Sequence, residues 1–131
     1  MTTVPLTLEE IFHLAKKTLI ANGCDEETAD TLSTLIKNAE RDGSLSHGLF
    51  RLPAYISGLK SGKINGKARP VISKLTASVV KADGKNSLAP MVLKYGIPEL
   101  IKAAKENGVA VLAITNSHHM AAMWLETEAI A

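Results

Sequence analysis

The chain has 131 residues, 46% of them hydrophobic and 21% charged, enough for one domain or part of one at about 150 residues per domain. So much apolar material excludes a disordered, collagenous or low-complexity chain. Lys and Arg number 15 against 13 Asp and Glu, a net charge of +2 too small to mark a nucleic-acid-binding surface.

No apolar run approaches the ~18 residues of a membrane span. The stretch from Met1 to Leu6 has no basic region followed by an apolar one, so no secretory signal is expected. Cys24 is the single cysteine. It excludes an internal disulfide and points to a reducing compartment, with the cytoplasm expected.

Thr7 to Glu10 reads T-L-E-E, a capping box in which Thr7 caps a helix and Glu10 reaches back. Leu8, Ile11, Phe12, Ala15, Leu19 and Ile20 follow at helical spacing, and Asn22-Gly23 stops the helix. A second helix is predicted from near Asp25, its Glu26 and Glu27 suiting the positive end of the dipole. Its apolar positions run from Ala29 to Ala39, and Asp42-Gly43 ends it. Ser44 to Gly62 makes a third helical segment with Leu49, Leu52, Ile56 and Leu59 on one face, where Pro53 either opens the helix or kinks it. Ser61 to Pro70, rich in Gly and basic residues, reads as a solvated loop.

Val71 to Ala82 is β-branched and predicts one or two short strands closed by Asp83-Gly84. Pro90 suits the first turn of a helix reaching Asn107, which Gly96 and Pro98 should bend or divide. Val109 to Ile114 is almost continuously apolar, the pattern of a strand covered on both faces. An amphipathic stretch with Trp124, Leu125 and Ile130 closes the chain. The fold class is therefore α/β (mixed α+β): a helical segment over 1–62, then the first part of a β-α-β region of a larger sheet over 63–131. So few strands make little sheet, and the final stretch ends at Ala131 without a stop signal. The chain reads as the front part of a longer protein.

His47 and Arg51 stand four apart and would share one helical face. An imidazole gives or takes a proton near neutrality, and a guanidinium fork grips a carboxylate. Together they suit a small carboxylic acid that is held and protonated, and Ser46 could hydrogen-bond to the same group. The same spacing also fits a capping serine, a surface histidine and a solvated arginine. His118 and His119 follow an apolar strand, where α/β sheets place ligands. Adjacent side chains diverge, so they make no metal set, and no metal is expected. His13 and Cys24 read as structural, and Met120, Met123 and Trp124 as core or the wall of a cofactor site. Neither G-x-G-x-x-G nor a P-loop occurs.

The segment S-H-G-L-F-R-L-P-A-Y-I-S-G-L-K-S-G-K, Ser46 to Lys63, resembles the malate/L-lactate dehydrogenase family with a non-Rossmann fold, and so does N-S-H-H-M-A-A-M-W-L-E-T-E, Asn116 to Glu128. The resemblance runs from about Leu6 to Ala131. The H-H-M-A-A-M-W stretch is most similar to the branch that reduces Δ1-piperideine-2-carboxylate and Δ1-pyrroline-2-carboxylate. The resemblance implies that Ser46 orients the acid, His47 donates the proton and Arg51 binds the substrate carboxylate. It implies that His119, Met120, Ala121, Ala122 and Met123 contact NADP, with NAD as the alternative cofactor.

The expected activity is NADPH-dependent reduction of a cyclic 2-imino acid, giving L-pipecolate or L-proline. A malate- or lactate-type 2-hydroxy acid dehydrogenase is the alternative, and a non-catalytic remnant a further one. The expected partners are a small carboxylate and, for the full-length form, a second copy in a homodimer, with no nucleic acid and no membrane. Family members are longer, so this chain alone is expected to be inactive.

Overall fold

A computed structural model describes residues 4–119, 122–128 and 130–131. It begins with a helical hairpin, α1 (Leu8–Ala21) and α2 (Glu26–Arg41). Thr7 caps α1 as expected: its Oγ1 accepts the Glu10 N–H at 3.2 Å, and the Glu10 carboxylate accepts the Thr7 N–H at 2.8 Å. Asp25 caps α2 by accepting the Thr28 N–H at 2.9 Å. Ala15, Leu19, Ala29, Leu32 and Ile36 have no exposed surface. The alanines let the two helices approach closely, and the larger residues fill the space between them.

The third segment is not one helix. It makes two 3-10 turns, Leu45–His47 and Leu49–Arg51, and only then α3 (Leu52–Lys60). Gly48 breaks the run, with φ −85° and ψ −138°. Pro53 therefore falls in the first turn of α3, where its missing N–H costs nothing. Leu52, Tyr55 and Ile64 join the core of the hairpin.

The strands are β1 (Val71–Lys74), β2 (Val79–Leu88) and β3 (Val111–His118), with α4 (Ala89–Asn107) between the last two and α5 (Met123–Glu128) at the end. β2 is central, antiparallel to β1 and parallel to β3. Three expectations are corrected here. First, Asp83-Gly84 does not close β2. Lys85 and Asn86 take left-handed φ values of 51° and 63°, and pairing with β3, lost after Asp83↔Thr115, resumes at Ser87↔Ser117. The turn chemistry is real, since the Asp83 carboxylate accepts the Lys85 N–H at 3.0 Å, but it builds a bulge inside a longer strand. A Cβ on Gly84 would lie 2.7 Å from the Asn116 carbonyl oxygen.

Second, α4 is not divided. Gly96 is buried against β3, where a Cβ would lie 2.8 Å from a Leu112 methyl, and Pro98 is on the exposed side, where the carbonyl it leaves without a donor faces water. Gly108, at φ 81°, caps the helix. Third, β3 is not covered on both faces: none of its residues is buried, and Val111 is 55% exposed. α4 covers the face carrying Val80 and Ala82.

The helices and the sheet meet along a polar seam. Arg69 Nη2 pairs with Asp25 at 2.7 Å and Glu27 at 2.9 Å. Lys94 Nζ and the Tyr95 hydroxyl donate to the same Glu27 carboxylate at 2.9 Å and 3.0 Å. Burial is the largest single influence at Asp25 and opposes ionisation, but the hydrogen bonds from Thr28 and then Arg69 hold its carboxyl below the ordinary range; at Glu27, Lys94 and Tyr95 do the same against a smaller burial effect. Leu88, at the end of β2, belongs to the same apolar cluster as α1 and α2. No helix among the described residues is long and apolar enough to cross a membrane.

Candidate active site

The site is built on the double turn between α2 and α3. Glu40, near the end of α2, reaches across and accepts the Leu49 N–H at 2.7 Å. Its side chain occupies the space that a Cβ on Gly48 would fill. Glycine at this position thus lets one carboxylate hold the turn that carries Ser46, His47 and Arg51.

On that turn Ser46 Oγ lies 3.0 Å from His47 Nδ1, and Ser44 Oγ lies 3.2 Å from the same nitrogen. Nδ1 is engaged by hydroxyls whichever tautomer is present, which leaves Nε2 for a ligand. The Arg51 Nε–H donates to the Ser46 carbonyl at 2.8 Å, and among the described residues its two Nη groups have no hydrogen-bond partner. His47 and Arg51 therefore do not share one helical face as the spacing suggested; they sit on two successive tight turns, each tied to Ser46 by a hydrogen bond. Trp124 of α5 packs edge-on to the His47 ring, with centroids 6.1 Å apart, and its Nε1–H donates to Asp42 at 3.2 Å.

The second half of the site is the end of β3. His118 is the last residue of that strand, paired with Leu88, rather than following it as the sequence suggested. His119 follows in a left-handed conformation, φ 52°. Its imidazole faces α3: Nδ1 lies 3.2 Å from the Tyr55 hydroxyl, and the two rings meet edge to face at 5.4 Å. Burial, then the nearby Arg51 and His47, hold its pKa below the ordinary histidine value, with its own backbone pulling the other way. A cavity of about 430 Å³ opens here, with Tyr55, Gly58, Lys63, Ile64, His118 and His119 in its wall. That volume takes a small carboxylate or one ring of a larger cofactor.

The structure thus gathers Ser46, His47, Arg51 and His119 into one region. Among the residues expected at a cofactor, Ala122 is buried, Met123 is exposed, and Met120 and Ala121 lie outside the described residues. Tyr55 was missed. Its signal was present, four residues beyond Arg51 as Arg51 is four beyond His47. Among the described residues, no group of three or more His, Cys, Asp and Glu could hold a metal ion.

The family model described as malate/L-lactate dehydrogenase matches residues 6–131. The chain belongs to the malate/L-lactate dehydrogenase family. It is 41% identical over 125 residues to a Delta(1)-pyrroline-2-carboxylate reductase of Ancylobacter novellus, covering 95% of this chain and 37% of that protein. It superposes on a delta1-piperideine-2-carboxylate reductase crystal structure from Pseudomonas syringae with a TM-score of 0.92 at 40% identity, covering 98% of this chain and 39% of that one. A (2R)-3-sulfolactate dehydrogenase (NADP(+)) of Chromohalobacter salexigens is 33% identical, over 96% of this chain and 38% of that protein. The chain therefore spans well under half the length of the family members it matches. The mixed α/β fold with a three-stranded sheet is the part of the family fold that this length contains.

Proposed function

We propose that this chain carries the acid–base and carboxylate-binding part of an NADPH-dependent reductase of cyclic 2-imino acids, Δ1-piperideine-2-carboxylate and Δ1-pyrroline-2-carboxylate. The observation that carries the reading is the turn that ties Ser46, His47 and Arg51 together, with Ser46 Oγ on His47 Nδ1 and Arg51 on the Ser46 carbonyl. The two Nη groups of Arg51 grip the substrate carboxylate as a fork. That grip sets the ring nitrogen of the substrate near His47. Nδ1 of protonated His47 donates to a serine hydroxyl, and Nε2 delivers its proton to the substrate nitrogen. The neutral imidazole keeps its proton on Nδ1 and goes on donating to the hydroxyl, while the bare Nε2 is ready to be protonated again.

The residues fit one wall of a nicotinamide site: the His119 and Trp124 rings offer faces and edges to a planar ring, beside the cavity at the end of parallel strand β3. When bound, the nicotinamide supplies hydride to the C=N carbon next to the carboxylate. His119 to Met123 would contact the cofactor. The division at 1–62 and 63–131 separates the proton-donor turn from the cofactor wall. A homodimer in the cytoplasm completes the proposal.

A malate-, lactate- or sulfolactate-type 2-oxo acid reductase is the second reading, favoured by the 33% identity to a sulfolactate dehydrogenase. A ketone needs the same clamp and the same proton donor. Absorbance of NADPH with piperideine-2-carboxylate and with pyruvate, measured on the chain continued to family length, separates the two. The imine should turn over faster; faster pyruvate or oxaloacetate turnover would replace the imine assignment. In the same enzyme His47→Ala should lower kcat about 10²–10⁴-fold, and Arg51→Ala should mainly raise KM. Both variants within threefold of the parent would remove these residues from the mechanism. The 131-residue chain alone should show no NADPH oxidation.

A further inference from the structure

We infer that Tyr55 is a positioning residue: its phenol O–H donates to Nδ1 of His119 and fixes the imidazole as the tautomer with its proton on Nε2, a donor for an acceptor oxygen of a bound carboxylate or carboxamide. The consequence for a ligand rests on the reductase reading; the tautomer itself does not.

The Tyr55 hydroxyl is a largely buried donor that needs an acceptor. Tyr55 is 2% exposed, and among the described residues the one hydrogen-bond partner of its hydroxyl is Nδ1 of His119, at 3.2 Å. If the imidazole donated instead, the phenol proton would lose the one protein acceptor it has among the described residues, and a largely buried donor without an acceptor is the costlier arrangement. Burial also keeps the phenol protonated, its pKa pushed up to about 12 against a smaller opposing pull from Arg51. The imidazole side agrees. His119 is surrounded by cationic and titratable groups from other elements, Arg51 and His47 on the double turn and Lys63 on the loop after α3, with His118 beside it. A second proton on its ring is disfavoured there.

The geometry is also expensive to maintain without a purpose. A left-handed φ of 52° at a non-glycine residue persists where surroundings impose it, and such positions cluster at functional sites. The edge-to-face contact at 5.4 Å and 81° locks the ring plane, so the hydrogen bond and the stacking together fix both orientation and tautomer.

The test is the long-range proton–nitrogen spectrum of the ¹⁵N-labelled 131-residue chain, which reads the protonation of each imidazole nitrogen. His119 should show a bare Nδ1 and a protonated Nε2, while His13, exposed on α1, should show the average of both tautomers. Tyr55→Phe keeps the ring contact and removes the donor. It should move the His119 tautomer ratio toward protonated Nδ1 by about three- to tenfold, the value of one ordinary hydrogen bond, and make His119 titrate at higher pH. A protonated Nδ1 in the wild type, or an unchanged ratio in Tyr55→Phe, overturns the inference. If Tyr55→Phe does not fold, the wild-type ratio against that of His13 decides. No step of this test uses NADPH, so its failure and failure of the reductase reading are read separately.

Discussion

The helical side and the sheet side of this chain solve the burial problem differently. In the hairpin, Leu19, Leu32 and Ile36 have no exposed surface, and most of their cluster comes from α1, α2 and α3, with Leu88 reaching in from the end of β2. On the sheet side, Val71, Leu75, Val109 and Val111 are each more than half exposed. A helix closes its backbone hydrogen bonds internally, so a neighbouring helix need only cover a stripe of side chains. A strand closes none of its own, and β1 and β3 each pair on one side with β2. The turn carrying His47 is thus anchored to a core closed mainly by helices, whereas His119 follows a strand whose faces are only partly covered.

The largest expected effect tests that contrast directly. Leu32→Ala should cost about 2–5 kcal/mol, because the removed atoms leave a cavity in a closed interface. Val111→Thr should stay within about 0.5 kcal/mol, the range of an exposed substitution. Urea midpoints at constant slope measure both. Equal losses would mean that β3 is covered in solution after all, by a second copy of the chain or by a different packing.

The two sides were not equally legible. Capping boxes and turn signals are local, so α1 and α2 could be placed within a residue or two from Thr7, Asp25 and their stops. The bulge at Asp83-Gly84 could not, because D-G reads as the end of a strand unless a partner on β3 resumes pairing beyond it. Nor could the exposure of β3: an apolar run reports what a strand can bury, not what is present to cover it. For the site, Ser46, His47, Arg51 and His119 were visible as residue types. Their assembly was not, since Gly48 replaces the assumed helix with two turns and the Glu40 clamp comes from α2. Tyr55 carries no such signal of its pairing, because its partner is 64 positions away.

A smaller effect should appear where the two sides touch. Tyr55 is on α3, and its hydroxyl meets His119 at the end of β3. The folded phenol ionises at about 12, against about 10 in an unfolded chain. The unfolded state therefore loses this proton first, and stability falls as pH rises between those values. Two units correspond to about 2–3 kcal/mol at most. Urea midpoints between pH 9 and 12 should fall more steeply for the wild type than for Tyr55→Phe, which removes this group and leaves the lysines to titrate alike in both. Parallel slopes would show that the phenol is reached by solvent and that the contact between the two sides is looser than the structure has it.

The smallest effect sharpens the comparison from the other end. Thr7→Ala removes the side chain that accepts the Glu10 N–H and should cost about 1 kcal/mol, as cap deletions do. The Thr7 backbone N–H still donates to the Glu10 carboxylate, so half of the reciprocal pair survives. That backbone hydrogen bond is the first cause holding the Glu10 carboxyl below its ordinary value, with the Thr7 hydroxyl the second. A depressed carboxyl contributes stability above its unfolded pKa and loses it as pH falls through the folded one. The difference between wild type and Thr7→Ala should therefore narrow on acidification below about pH 4.5. If the helical side opens as its own unit, the loss should be uniform across amides of α1 and α2 in native-state hydrogen exchange and should leave the exchange of β3 amides unchanged. A matching loss in β3 would mean that helices and sheet open as one unit, joined through Leu88 and the Arg69 cluster strongly enough to erase the distinction between the two sides.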